Sequence, residues 1–254
     1  MIEITGYKDK HEFERDGIKS IVYLMDCMDG IKQIPEKYFD LALIDPPFGI
    51  KASKPSIKPN VVRQKNGTKL KISAPLYAPK KWDNTPVSRD VIQEIIKTSH
   101  NQIVFGVNYF PYPELSGGRI VWDKMNHDSD QFGCEIAYNS FNNRTDVIHY
   151  MWAGMMQGVT PSININIANM QLGDKSKNEK RIHPTQKPVK LYDWIYKNYG
   201  QDCKNVLDTH LGSQSNRIAA LKASIAFMGF ELEEDYFRDG NKRFEDFTKQ
   251  LTLL

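Results

Sequence analysis

The sequence predicts an α/β fold: a mostly parallel sheet covered by helices on both faces. Three observations predict it. Short apolar runs ending in an acidic residue recur along the chain, as at SIVYLMD (20–26), FDLALID (39–45) and IAFMGFE (225–231). Segments with helical apolar spacing separate such runs, and that alternation builds a sheet whose faces are both buried. The chain has 254 residues, 40% hydrophobic and 26% charged, enough for one sizeable core. The expected organisation is a single domain over residues 1–254.

Each element has its own reason. Residues 20–26 and 39–45 read as buried strands. The second is stopped by Pro46-Pro47, which cannot continue a central strand. Residues 88–99 place Val91, Ile92, Ile95 and Ile96 on one helical face. Residues 102–107, 119–122, 135–140 and 147–152 read as further strands. Residues 189–199, with Leu191, Trp194 and Ile195 in helical spacing, form the next helix. A strand at 205–208, a helix at 212–222, a strand at 225–231 and a helix at 233–251 complete the pattern. Residues 154–181 are polar and Asn-rich and carry no clear period. They belong to a stretch, about 142–181, expected to be a small target-recognition insertion.

Charge is informative when divided along the chain. The net charge is +3, yet residues 49–82 hold nine basic side chains (Lys51, Lys54, Lys58, Arg63, Lys65, Lys69, Lys71, Lys80 and Lys81) and no acidic one. A basic loop on an otherwise acidic body suits a polyanion, although a solvated loop without a partner has the same composition. Mean hydropathy is −0.53, and no apolar run approaches the ~18 residues of a membrane span. The first residues lack an apolar signal core. Cys27, Cys134 and Cys203 lie far apart, which excludes a disulfide scaffold or a local zinc knuckle and suits a reducing cytoplasm. Among the histidines no metal-ligand spacing occurs, and His127-Asp128 has no nearby nucleophile.

Three motifs carry chemistry. Asp45-Pro46-Pro47-Phe48 follows a strand at the edge where open α/β sheets bind ligands. The prolines stiffen the turn, so carbonyl oxygens can be held outward beside a carboxylate and an aromatic ring. That combination suits a planar group bearing an NH₂. The run Val206–Ser215 reads strand, turn and helix. Gly212 permits close backbone approach and Glu231 ends the next strand, about where a dinucleotide site places its ribose-binding acid. The third motif, His183-Pro184-Thr185-Gln186-Lys187-Pro188, opens the helix at 189–199.

In this order the three motifs resemble the amino-methyltransferases of DNA, specifically the permuted β-type adenine-N6 enzymes, with phage- and prophage-like features in FGVNYF (105–110) and VWDK (121–124). The likeness spans roughly residues 20–237. It implies a seven-strand Rossmann-like sheet and S-adenosylmethionine as cofactor. It places Asp45, Pro46, Pro47 and Phe48 at the target base. Asp26, Thr185, Lys187, Asp208, Gly212, Ser213 and Glu231 fall at the cofactor, with Thr185 and Lys187 near its methionine end. It implies methyl transfer to N6 of a flipped adenine in a specific site of double-stranded DNA, and a cytoplasmic protein. A homodimer and a cognate restriction enzyme are the further partners to consider, and the basic loop would hold phosphates. Thr209, His210 and Gln214 depart from the family's Pro, Phe and second Gly; Gln214 is expected to aim at solvent from the first helical turn. Cytosine-N4 or RNA amino-methylation stays open, as does a non-catalytic DNA-binding relative.

Overall fold

The computed structural model describes residues 1–52, 61–63, 69–71, 80–126, 132–153, 156–158 and 178–251. Its frame is one mixed sheet. The strands are β1 (Asp9–Arg15), β2 (Ile18–Leu24), β3 (Phe39–Ile44), β6 (Ser99–Phe105), β7 (Gly118–Asp123), β8 (Cys134–Asn139), β9 (Thr145–His149), β12 (Asn205–Asp208) and β13 (Ala226–Glu231). They lie in the order β1-β2-β13-β12-β3-β6-β8-β7-β9. The run from β2 to β6 is parallel throughout. Strands β6, β8 and β7 pair antiparallel, and β9 returns parallel to β7.

Alternation along the central strands divides the core in two. Leu41 and Leu43 of β3, Val206 of β12 and Phe227 of β13 face one side. There they meet the helices α3 (Val189–Tyr199), α4 (Ser215–Lys222) and α5 (Glu234–Leu251) through Leu191, Ile195, Ala219 and Phe237. Ala42, Ile44, Leu207 and Met228 face the other side, against α1 (Cys27–Ile31) and α2 (Arg89–Thr98). Ser88 caps α2 by accepting from the Val91 N–H at 3.4 Å.

The sheet has nine strands, two more than the resemblance implied. One addition is β1, a charged edge strand joined to β2 by a tight Asp16-Gly17 turn. Both turn residues have positive φ (52° and 78°), the two-residue hairpin geometry that matches strand twist. The segment 147–152 is not one strand. It divides into β9 and β10 (Met151–Ala153), and β10 pairs with β11 (Met156–Gly158). The helix expected from 212 begins at Ser215, because residues 212–214 form a turn with positive φ at Gly212 and Gln214. The basic loop contains a hairpin, β4 (Val61–Arg63) with β5 (Lys69–Lys71). Lys54, Lys58 and Lys65 lie outside the described residues, as does most of the Asn-rich stretch. No described helix is long and apolar enough to cross a membrane.

Between β12 and β3 the connectivity reverses. From β12 the chain moves by way of α4 to β13 on one side; from β3 it moves by way of α2 to β6 on the other. Such switch points leave a crevice at the carboxyl ends of the strands. Asp26, Glu231, Asp208 and Asp45 all follow or end parallel strands at that edge.

Candidate active site

A cavity of about 710 Å³ opens at this edge. Asp26, Asp45, Pro46, Pro47, Phe48, Thr185, Lys187, Gly212, Ser213 and Glu231 all line it, so residues 205 positions apart in sequence share one space. Its size is in the range of sites for organic molecules of cofactor size.

One side of the cavity is built from the ends of β2 and β13 and the turn before α4. Asp26 caps α1, accepting from the Met28 N–H at 2.8 Å. Glu231 accepts from the backbone N–H groups of Gly212 (2.8 Å), Leu232 (3.0 Å) and Glu233 (2.9 Å). Burial pushes its carboxyl up to about 7 against those three donors. Thr185 Oγ1 lies 3.2 Å from His183 Nδ1. The His183 ring packs against Trp82 (5.2 Å) and Tyr236 (4.2 Å), and burial pushes its pKa down to about 3. His183 and His210 therefore act as neutral wall residues, and among the described residues no cluster of metal ligands occurs.

Asp208 differs from its expected place: it lies behind the wall. It is 2% exposed, accepts from Asn216 Nδ2 at 3.0 Å and from the His210 N–H at 3.1 Å, and burial pushes its carboxyl up to about 7. It braces the turn from beneath. Gln214 also differs, because it is fully buried and not at solvent. Its side chain turns away from the cavity into α5: Nε2 donates to Asn241 Oδ1 at 2.8 Å and Oε1 accepts from Arg217 at 2.9 Å. The first helical turn is covered by α5, whose Gly240 leaves room for the Gln214 amide.

The other side is aromatic and charged. Asp83, which no sequence motif singled out, is 1% exposed and ties the turn after the two prolines. It accepts from the N–H groups of Phe48 and Gly49, both at 2.8 Å, and of Ala52 at 2.7 Å. The Pro47 carbonyl accepts from Val87 at 3.0 Å, while among the described residues nothing bonds to the Pro46 carbonyl. Phe48 stacks on Tyr109 at 5.1 Å and 12°. Gly106 makes this possible, since a Cβ there would sit 2.0 Å from the Phe48 ring. Trp122, Lys124, Glu135 and Trp152 complete this side.

Lys187 lies on this side, in the same cavity as Thr185. Its Nζ lies 2.5 Å from Asp45 Oδ1 and 2.8 Å from Glu135 Oε2. Burial pushes the Asp45 carboxyl up to about 6, and the Lys187 ammonium pulls it back. Of the basic loop, Lys51 and Lys81 are exposed. Lys80 is instead paired with the chain's own carboxylates, Glu233 at 2.6 Å and Asp235 at 3.1 Å. Arg63, Lys69 and Lys71 lie on the β4–β5 hairpin.

Trp82, Asp83, Lys124, Glu135, Trp152 and Tyr236 were invisible as site residues in the sequence. Lys124 stood in the VWDK run, but Glu135 had no local signal at all.

The DNA methylase family of the N6/N4 type matches residues 121–242. A type II methyltransferase of Moraxella bovis, M2.MboI, is 22% identical over 268 residues, covering 95% of this chain and 93% of that protein. Among solved structures, M1.HpyAVI in complex with SAM aligns at 19% identity and a TM-score of 0.47, over 87% of this chain and 97% of that one. The cytosine-N4-specific PvuII DNA methyltransferase aligns at 12% identity and a TM-score of 0.48, over 91% and 90%.

Proposed function

We propose, from the premise that this chain is related to the N6/N4 DNA methylases, that it methylates an exocyclic amino group of DNA, namely N6 of a flipped adenine. One observation carries the reading: Asp45 and the Pro46 carbonyl, unbonded among the described residues, stand in the same cavity as a polar, acid-lined space at the switch point. The residues of that space suit S-adenosylmethionine. Glu231 and Asp26 offer acceptors for ribose hydroxyls and other donors, Thr185 and Ser213 offer hydroxyls for the amino-acid end, and Trp82, Phe230 and Tyr236 offer ring faces. When bound, the cofactor supplies an electrophilic methyl group on a sulfonium.

The protein's task is to make a poor nucleophile competent. The lone pair of an aromatic amine is delocalised into its ring. Accepting both amino hydrogens at Asp45 and Pro46 favours a pyramidal nitrogen, and these bonds strengthen as positive charge develops there. The stiff Pro-Pro turn and Asp83 keep the acceptors fixed, so little reorganisation is needed during reaction. Phe48 and Tyr109 supply an apolar platform for a base removed from the duplex. Adenine is favoured over cytosine by Asp45, because cytosine-N4 members of the family that the motifs resemble usually carry Ser there. Incubating the protein with unmethylated DNA and methyl-labelled cofactor, followed by nucleoside analysis, tests both levels. N6-methyl-2′-deoxyadenosine is expected; N4-methyl-2′-deoxycytidine would overturn the base assignment, and no labelled nucleoside would overturn the function.

Glu231→Ala is expected to weaken cofactor binding at least tenfold while changing kcat at saturating cofactor less. Calorimetry checks it, and an unchanged Kd removes Glu231 from the cofactor site. Neutralising Lys65, Lys69 and Lys71 together is expected to weaken target and non-target DNA about equally. It should flatten the slope of log K against log salt by up to ~2.7 units, at about 0.9 per lost phosphate contact. An unchanged slope in a salt titration would make the segment a solvated loop. Sequence reading by residues 142–181, a homodimer and a partner restriction enzyme remain parts of this proposal.

A further inference from the structure

Four charged side chains meet in the wall of the cavity, and they alternate in sign. Asp45 Oδ1 lies 2.5 Å from Lys187 Nζ, Lys187 Nζ lies 2.8 Å from Glu135 Oε2, and Glu135 Oε1 lies 2.6 Å from Lys124 Nζ. The Lys187 side chain is 2% exposed, and its ammonium also sits 5.3 Å and 4.8 Å from the ring centroids of Phe48 and Phe105. The four come from separate places: the end of β3, the turn before α3, β8 and the residue after β7. A buried ion pair is a weak source of stability, since apolar packing of the same volume often serves as well. Two carboxylates and two ammonium groups assembled at one wall therefore call for a role besides stability.

We propose that Lys187 and Glu135 are positioning residues for Asp45. Lys187 anchors one carboxylate oxygen and keeps the group ionised when a base closes the pocket, Glu135 anchors Lys187 in turn, and the second Asp45 oxygen is thereby presented to the substrate amino group. This rests on the methyltransferase reading and deepens it. The physical need is specific. A planar base entering the cavity displaces water from Asp45, which favours the protonated acid. A protonated carboxyl has lost acceptor strength and stabilises a developing cation poorly. The groups facing Asp45 are Lys187, Glu135, Lys124, Asp208 and Tyr192. Lys187 and Lys124 favour its ionised form, while burial, Glu135 and Asp208 oppose it. Burial opposes the Lys187 charge as well, but Asp45 and Glu135 outweigh it and raise its pKa, so the anchor stays cationic at neutral pH. Glu135 is held well below the ordinary carboxylate range, near 2, by Lys187 and Lys124 in spite of its burial.

The test is a titration of Asp45 by carboxyl ¹³C NMR in the intact protein, without cofactor or DNA, with Asp45→Asn assigning the signal. It is paired with the pH profile of methyl transfer. Lys187→Met is expected to raise the Asp45 midpoint by about one unit or more and to move the acid limb of kcat upward with it. Glu135→Gln is expected to do the opposite to the midpoint, since a like charge leaves and Lys187 stays. It should nonetheless lower the plateau kcat, because a neutral amide holds the Lys187 ammonium less firmly than the carboxylate does. Opposite midpoint shifts are a signature that general loosening of the fold does not produce. If Lys187→Met does not fold, the Glu135→Gln measurements decide. An Asp45 midpoint unmoved in the folded variants, or a Glu135→Gln plateau equal to wild type, would overturn the inference while an active wild type leaves the function standing. A wild type that transfers no methyl to DNA would instead overturn the functional reading.

Discussion

Asp45→Ala is expected to abolish methyl transfer while leaving cofactor binding within a few-fold of wild type. The carboxylate lies at the end of β3 on the aromatic side of the cavity, whereas the acceptors assigned to the cofactor come from β2, β13 and the turn at 212. Removing one preorganised donor from an oxyanion hole costs about 10²–10³ in kcat, and a fixed acceptor aimed at developing positive charge is expected to cost about as much. Asp45→Asn keeps the shape and sits equally near Lys187, so it separates charge from volume. A variant retaining more than about a tenth of wild-type kcat, a loss below ~1.4 kcal/mol, would show that Asp45 is not the acceptor. The pH dependence has a definite sign. The active form is the carboxylate, and burial places its midpoint near 6. In the wild type kcat/KM, which reports the free protein, is therefore expected to fall as pH drops through about 6, not through the ordinary carboxylate range near 4. A profile flat down to pH 5 would contradict this.

Gln214→Gly is expected to destabilise the fold by about 1–3 kcal/mol with less than a tenfold change in cofactor affinity. Two effects compete. Gln214 has φ of 59°, where a residue with a Cβ is disfavoured by about 1–2 kcal/mol and glycine is not. Against that, its amide closes a buried network. Arg217, fully buried, donates to Gln214 Oε1 (2.9 Å), Asn241 Oδ1 (3.0 Å) and Ser20 Oγ (2.7 Å), and its guanidinium lies 3.8 Å from the Phe244 ring centroid. Removing the amide deprives Arg217 and Asn241 of partners and leaves a void beside Gly240, so the network outweighs the backbone relief. Urea denaturation measures the outcome. A stabilised variant would show that the backbone term dominates. A hundredfold gain in cofactor affinity would mean that Gln214 obstructs the cofactor after all, and would favour a non-catalytic relative.

The central sheet was legible because its strands obey a rule visible in one dimension. Residues 20–26, 39–45, 205–208 and 225–231 are short, mostly apolar runs without strict alternation, as strands buried on both faces are. The helices at 88–99 and 189–199 showed the 3.6-residue period of an element buried on one face. Strand β1 was missed for the converse reason. DKHEFER is a charged edge strand with one pairing partner, so burial wrote almost no pattern into it. The Asp16-Gly17 turn was its one local sign. The same holds for α1, a five-residue helix with two buried positions.

By itself the sequence determined most of the motif residues that line the crevice at the strand ends. A carboxylate followed by two prolines and an aromatic, a positive-φ glycine, and acids ending parallel strands are local facts, set by covalent geometry and neighbours a few positions away. What only the tertiary structure decided is which of these groups face each other. Lys187 meets Asp45 across 142 positions and Glu135 across 52, Gln214 is drawn into α5, Asp208 is drawn beneath the turn, and Lys80 is neutralised by Glu233. Such pairings depend on strand order, register and the packing of helices on the sheet. Burial then makes each of them matter, because an ammonium or carboxylate removed from water must find its partner wherever the fold has put one.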